Sequence, residues 1–352
     1  MARRIRFPRS RALAAAAILV VAILSVALVY RQRPPVLHVQ SGFEMGTFVE
    51  IRAYGGKNAA DAISRGFERL REIERLMSTS IPESDIAKLN TAQPRTPVRV
   101  HPDTIHVVSA AIAYAQKTGG AFDPTVGKLV ELWAIGSGNE TVPTSDEIRD
   151  ALLGVGYENL VVDSTQSRIT RLTDLRLDLG AIAKGYASDE IVELLVAENI
   201  SGGVVDLGGN IRVFGRNPLR KQWRIGIQDP FRPRGSYIGT VDISSGAVAT
   251  SGDYERYFVA DGVRYHHILD PESGYPASPQ LKSVTVVAET GIEADALSTG
   301  LFVLGLDEMF DFIENVPSVG VIAITADRRV IVSSGIAHAF VKASEDFEYE
   351  IR

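Results

Sequence analysis

The sequence predicts an α+β domain of two joined lobes, with mixed and antiparallel sheets and packed helices, preceded by a transmembrane helix. Three observations carry this expectation. Strand-like segments fall in neighbouring runs between helices, whereas a doubly wound parallel sheet alternates strand and helix. No Pro/Gly/Ser-rich linker interrupts residues 34–352, which therefore read as one domain behind a separate segment 1–33. Residues 12–30 form a 19-residue apolar run without a charge, close to the length that crosses a hydrocarbon core of about 30 Å.

The elements follow in order. Pro34 and Pro35 make a short stiff linker. Residues 36–39 and 48–53 alternate like the strands of a hairpin, and 58–77 has helical spacing, with Ala62, Phe67, Leu70, Ile73 and Leu76 mostly on one face. A second helix starts after Pro102-Asp103 and ends at Gly119-Gly120. Thr144-x-x-Glu147 is a capping-box pattern opening a short helix that stops at Gly154. Strands are expected at 160–162, 168–171 and 175–177, then a long helix over 182–198. The second half is strand-rich, at 204–207, 211–214, 224–227, 237–243 and 284–288. A helix over 294–304 ends at Gly305, and strands at 319–324 and 330–332 close the domain.

Five arginines (Arg3, Arg4, Arg6, Arg9, Arg11) precede the apolar run and two (Arg31, Arg33) follow it. This asymmetry predicts a cytoplasmic N-terminus and a globular part outside the membrane. Cleavage after Ser25-Val26-Ala27 as a signal peptide is the alternative, but Leu28-Val29-Tyr30 carries the apolar run past that site. Beyond residue 33 the chain has 30 basic against 43 acidic residues, a net charge of −13, so nucleic acid is not an expected partner. There is no cysteine, hence no disulfide, no thiolate chemistry and no lipid-modified cysteine.

Four constellations carry chemistry. Asp295-x-x-Ser298-Thr299 sets a carboxylate and two hydroxyls on one helix face, hard oxygen donors that suit Mg²⁺ better than zinc. The plainer alternative is Asp295 capping the helix, with the hydroxyls bonded back to preceding carbonyls. Residues 177–186, Leu-Asp-Leu-Gly-Ala-Ile-Ala-Lys-Gly-Tyr, place Asp178 and Lys184 around a helix start, where small residues let backbone approach a charged ligand. An ordinary strand-to-helix junction with Asp178 as the cap fits as well. His266 and His267 precede an Asp270-Pro271-x-x-Gly274 turn; adjacent on a strand, they point to opposite faces, one toward a ligand and one toward solvent. Gly119-Gly120-Ala121-Phe122-Asp123-Pro124 reads as a loop able to lay backbone against a flat ring, or as a plain loop, and Asp206-Leu207-Gly208-Gly209-Asn210 as a tight hairpin turn. No Gly-x-Gly-x-x-Gly fingerprint is present at that turn.

In order and wording these segments resemble the FAD:protein FMN transferases, the ApbE-type flavin transferases. The matching stretches are Met45-Gly46-Thr47, Met77-Ser78-Thr79, residues 120–127, 177–186 and 206–210, Ala249-Thr250-Ser251-Gly252-Asp253-Tyr254, His267-Ile268-Leu269-Asp270-Pro271 and Ala294-Asp295-Ala296-Leu297-Ser298-Thr299. The resemblance implies an ApbE-like fold and a Mg²⁺-dependent transfer of the FMN half of FAD to a Ser or Thr hydroxyl of an acceptor protein, releasing AMP. It implies Asp295, Ser298, Thr299 and the Ala181 carbonyl as Mg²⁺ ligands. It implies FAD contacts at Met45, Ser80, Ala121, Phe122, Asp123, Asp178, Lys184 and residues 267–269, including Leu269. Asp295 and His267 are the two candidates for the catalytic base. It places the domain on the periplasmic side of a bacterial inner membrane, with the N-terminal helix as anchor. One departure stands out: relatives commonly read Met-Ser-Thr-Tyr, but this chain has Met77-Ser78-Thr79-Ser80. Serine offers no ring to close over FAD, so hydrolysis of FAD to FMN and AMP, or simple FAD holding, is the alternative activity.

Overall fold

The structure, a computed structural model, describes residues 36–138, 140–277 and 280–352, together with Ala22. Residues Leu37–Arg352 form one compact unit. Apart from Ala22, the expected membrane span at 12–30 lies outside the described residues; among those described, no helix is long and apolar enough to cross a membrane.

The first half of the chain runs β1 (Val36–Glu44), β2 (Thr47–Gly55), α1 (Ala59–Met77), α2 (Asp85–Thr91), β3 (Val98–Arg99), α3 (Pro102–Lys117), α4 (Gly127–Trp133), α5 (Ser145–Leu152), β4 (Leu160–Asp163) and β5 (Arg168–Arg171). It continues with α6 (Ala183–Ala197), β6 (Gly202–Leu207), β7 (Asn210–Gly215), β8 (Trp223–Gln228), β9 (Tyr237–Ile243), β10 (Gly246–Gly252), β11 (Tyr257–Ala260) and β12 (Val263–His266). Last come β13 (Leu281–Ala288), α7 (Gly291–Leu304), α8 (Leu306–Glu314), β14 (Gly320–Thr325), β15 (Arg329–Val332), β16 (Phe340–Lys342) and β17 (Glu348–Ile351).

Nine strands form the main sheet in the order β1-β2-β6-β7-β10-β13-β14-β15-β17, antiparallel from β2 to β15 and parallel at β15–β17. Side chains alternate between two cores. On one face, Ala247, Ala249, Val284, Val286, Val321 and Ala323 pack with α7 and α8. On the other, Val248, Val287, Ile322 and Ile324 pack with Ile225, Ile227 and Val241 of the three-stranded sheet β16-β9-β8. Both faces being covered, β14 is buried at every position, which is why its sequence is continuously apolar. A third core joins β2 and β6 to α1, α3 and α6 through Ile51, Leu70, Ala111, Ile191 and Val205. The result is the α+β architecture the sequence predicts.

Several expectations need correction. Residues 175–177 are not a strand: only an isolated parallel bridge joins Val126 to Arg176, with the Gly127 amide donating to the Arg176 carbonyl (3.0 Å) and the Asp178 amide to the Pro124 carbonyl (2.8 Å). Gly119 and Gly120, at φ +60° and +93°, end α3 where the sequence places its end. Their amides return to the Gln116 and Ala115 carbonyls, a Schellman termination. The central strand β10, Gly-Ala-Val-Ala-Thr-Ser-Gly, is missed because only Val248 and Thr250 favour a strand among small residues. Its small residues leave room for α7.

The crossing of α6 and α7 is closer than side chains allow. A Cβ on Gly185 would lie 2.2 Å from the Gly291 carbonyl oxygen and 2.7 Å from Asp295 Cβ, and one on Gly291 would lie 2.2 Å from Ser188 Oγ. The Asp189 carboxylate, paired with Arg212 at 2.8 Å, accepts from the Gly291 and Ile292 amides at 2.7 and 2.9 Å and so tops α7. Helix α7 therefore begins near Gly291, and Asp295 lies in its second turn instead of capping it.

Two predictions follow from this packing. Gly185→Ala should lower the urea midpoint by about 2 kcal/mol or more in stability, as overpacking at a fixed crossing does; an unchanged midpoint would show that the crossing yields. His266 is buried, its Nε2 donates to the Ala277 carbonyl at 2.9 Å and its Nδ1 has no partner. Burial first holds its pKa below the ordinary 6.5. The neutral ring costs nothing above the unfolded pKa, and the unfolded state binds the extra proton as pH falls below it. Stability should then drop with a slope of up to about 1.4 kcal/mol per pH unit, levelling below the folded pKa. Stability curves from pH 7 downward should be shallower for His266→Gln than for wild type; parallel curves would remove His266 from the account.

Candidate active site

Two hairpin turns meet at one end of the main sheet. Met45 and Gly46 (φ 49° and 69°) join β1 to β2, and Gly208 and Gly209 (φ 67° and 98°) join β6 to β7. A Cβ on Gly208 would lie 1.9 Å from Thr47 Oγ1, so only glycine lets the turns lie side by side. Met45 holds a left-handed conformation that costs a non-glycine residue about 1 kcal/mol or more, and it borders the cleft. The cleft has a volume of about 840 Å³ and is walled by these turns, the 121–126 loop, the start of α6, one face of α7, the end of β10 and the 267–269 segment. That size suits a ligand larger than a single nucleotide base.

At its floor lies Asp295, 4 % exposed. Its Oδ2 accepts the Gly185 amide at 2.8 Å, one of the first-turn amides of α6 that have no acceptor within the helix. Among the described residues the Ala181 carbonyl accepts no hydrogen bond, nor does Asp295 Oδ1, and both residues border the cleft. Thr299, one turn on, borders it too. Ser298 does not: buried, it donates to the Asp295 carbonyl at 2.9 Å and meets Ser251 Oγ at 2.9 Å. Ser251 of β10 lies in the cleft wall and reaches Thr299 Oγ1 at 3.2 Å. One carboxylate oxygen, one carbonyl and a threonine hydroxyl, with two serine hydroxyls behind them, are a hard-oxygen set without nitrogen or sulfur. The unpartnered carbonyl and the open Oδ1 fit a Mg²⁺ ion. Among the described residues no three His, Asp or Glu side chains cluster as a metal site, so the carbonyl and hydroxyls are essential to such a fit.

Asp178 accepts the Gly180 amide at 2.7 Å, a turn before α6 and not the helix cap. Lys184 Nζ donates to the Gly180 carbonyl at 2.7 Å and borders the cleft. The small residues of this stretch serve the helix crossing at Gly185, while Gly180 serves the Asp178 turn. Phe122 and Asp123 border the cleft but are buried, with Ala121 beside them. Asp123 accepts from the Thr125 amide and hydroxyl (2.7 and 2.6 Å) and from the Tyr157 amide (3.1 Å), and burial raises its pKa. Its carboxylate thus holds the loop. Ser80 is exposed at the cleft margin, its amide donating to Ser78 Oγ at 3.1 Å.

The two histidines do face opposite ways, but His266 enters the core against Phe302 and not solvent. His267 borders the cleft with Leu269. Its amide (3.1 Å) and Nδ1 (3.3 Å) both reach the Arg256 carbonyl. A carbonyl only accepts, so Nδ1 carries the proton and Nε2 keeps its lone pair. Burial, then the Arg256 charge, push this histidine down to about 3. Sequence reasoning assigned no role to Ser251 or Arg256, although Ser251 lies within the quoted 249–254 motif. Arg256 follows that motif by two residues, and nothing in its local pattern marks it.

Comparison with known proteins places this architecture. A model of the ApbE family matches residues 45–325. A protein of Treponema pallidum named FAD:protein FMN transferase is 36% identical over 309 residues, covering 83% of this chain and 85% of its own. The ApbE protein of Thermotoga maritima, a crystal structure, superposes with a TM-score of 0.76 at 37% identity, over 88% of this chain and 97% of the other. The Pseudomonas stutzeri flavinyl transferase ApbE in its apo form gives 0.79 at 27% identity, over 89% and 99%. The chain belongs to the ApbE family.

Proposed function

We propose that this protein transfers the FMN moiety of FAD to a Ser or Thr hydroxyl of an acceptor protein, with Mg²⁺ bound and AMP released. The observation that carries the reading is that the Ala181 carbonyl and Asp295 Oδ1, held at the cleft by the bond from the Gly185 amide to Asp295 Oδ2, have no partner among the described residues. The named activity of the similar proteins supports it. In the transfer the acceptor oxygen forms a bond to the FMN phosphorus, the bond from that phosphorus to the AMP oxygen breaks, and AMP leaves with the electron pair. Asp295, Thr299 and the Ala181 carbonyl would hold the ion, with Ser251 beside Thr299 in the cleft wall and Ser298 bonded to Ser251 from behind. Bound there, Mg²⁺ supplies charge stabilisation to the diphosphate as the bond to AMP breaks. Lys184, anchored on the Gly180 carbonyl, adds a fixed cation at the same wall. Of the two candidate bases His267 is the freer: Nε2 has an unused lone pair, while Asp295 spends one oxygen on Gly185 and turns the other to the ion. Met45, Phe122 and Leu269 give the flavin or adenine apolar surface.

A second reading rests on Ser80. A short exposed side chain stands where relatives commonly carry tyrosine, which leaves water a path to the phosphorus and favours hydrolysis to FMN and AMP. We further propose that residues 12–30 anchor the chain in a bacterial inner membrane with the domain on the periplasmic side, supported by the five arginines before the run and two after.

Full-length protein incubated with FAD, Mg²⁺ and an acceptor should add one FMN mass to the acceptor. Asp295→Ala should reduce this by about a thousandfold or more, the scale of losing a metal-held electrostatic contact; retained addition would refute the assignment. Without acceptor, Ser80→Tyr should release AMP more slowly than wild type, and equal rates would remove the hydrolytic reading.

A further inference from the structure

The cleft holds cations of two kinds. Around the turn between β10 and β11 most are neutralised: Arg234 pairs with Glu255 at 2.6 Å, Lys282 with Asp253 at 2.6 Å and Arg264 with Asp253 at 3.3 Å. Arg256, at the end of the same turn, has no ion pair and no side-chain hydrogen bond among the described residues, yet it borders the cleft. The flank of its stem lies against Gly136: a Cβ there would be 3.6 Å from Arg256 Cδ. Its carbonyl is fixed by the two bonds from His267. Arg256 is therefore positioned by backbone and packing, with its guanidinium left over.

Lys184 is the other cleft cation without a carboxylate partner, bonded only to the Gly180 carbonyl. It comes from α6 and Arg256 from the β10–β11 turn, and both charges act on the His267 imidazole in the same direction. Two uncompensated cations from separate elements flank one histidine, in a domain whose overall charge is strongly negative. Neither charge is balanced by a carboxylate of the protein among the described residues. The ligand chemistry that relieves this is a diphosphate, whose spread charge a planar guanidinium engages at two oxygens.

We infer that Arg256 is a substrate-binding residue that grips the diphosphate of the dinucleotide from the side opposite in sequence to Lys184, and so selects phosphorylated flavin over riboflavin. The inference rests on the transferase reading for the identity of the ligand.

The test separates phosphate recognition from general integrity. Titration calorimetry of the full-length chain with Mg²⁺ should show Arg256→Gln binding FAD and ADP about tenfold more weakly, a loss of about 1.4 kcal/mol. Riboflavin, which has no phosphate, should bind unchanged. Arg256→Lys should fall between wild type and Arg256→Gln for FAD, because a point charge replaces the fork. Equal binding of FAD by wild type and Arg256→Gln, or an equal loss for riboflavin, would overturn the inference. Absence of FMN transfer by the wild-type protein would refute the transferase reading alone, because the binding comparison needs no turnover.

Discussion

The site depends on how closely two helices approach. At Gly185 and Gly291 the backbones of α6 and α7 meet with no room for a Cβ on either side. That contact brings the second turn of α7 against the first turn of α6, so the Asp295 carboxylate accepts the Gly185 amide, which has no acceptor within α6. Two open oxygens, the Ala181 carbonyl and Asp295 Oδ1, thus meet at the cleft from segments more than a hundred residues apart. The Asp189–Arg212 pair reinforces the arrangement from α6, by tying down the first amides of α7.

Around this floor the fold assembles walls by separate means. The two hairpin turns fit together because Gly208 admits Thr47. The 121–125 loop is held by the buried Asp123 carboxylate, and Phe122 closes onto Gly300 of α7, where a Cβ would lie 3.1 Å from Phe122 Cβ. His267 is fixed by its own backbone and ring against the Arg256 carbonyl. Among the charged groups that border the cleft, Asp295 Oδ1 and the Arg256 side chain have no partner among the described residues, and Lys184 has no carboxylate partner. A polyanionic dinucleotide with a hard cation answers each of them.

Much of this was legible in the sequence. Periodicity located α1, α3, α6 and α7 to within a few residues, and the Thr144-x-x-Glu147 capping box forms with both of its bonds. The hairpin at Gly208-Gly209 and the Asp270 turn also follow from their residues. The Asp295-x-x-Ser298-Thr299 spacing pointed to an oxygen-donor face, but a helical wheel does not show that Ser298 turns toward β10 while Ser251 takes the cleft position. That exchange is tertiary. So is the purpose of Gly185, which reads locally as ligand clearance and is in fact helix clearance. β10 escaped notice because its small residues answer to the helix above it and not to strand propensity, and Arg256 because an unpaired charge is visible only once its neighbours' partners are known.

The central claim is that the glycine crossing builds an oxygen site from Ala181 and Asp295. Crystals of the protein grown with FAD and Mn²⁺ in place of Mg²⁺ test it directly through the anomalous signal of the metal. The account predicts a peak bonded by Asp295 Oδ1, the Ala181 carbonyl and Thr299 Oγ1, with the Gly185 amide still on Asp295 Oδ2. A metal bound in the cleft away from Ala181 and Asp295 would contradict it.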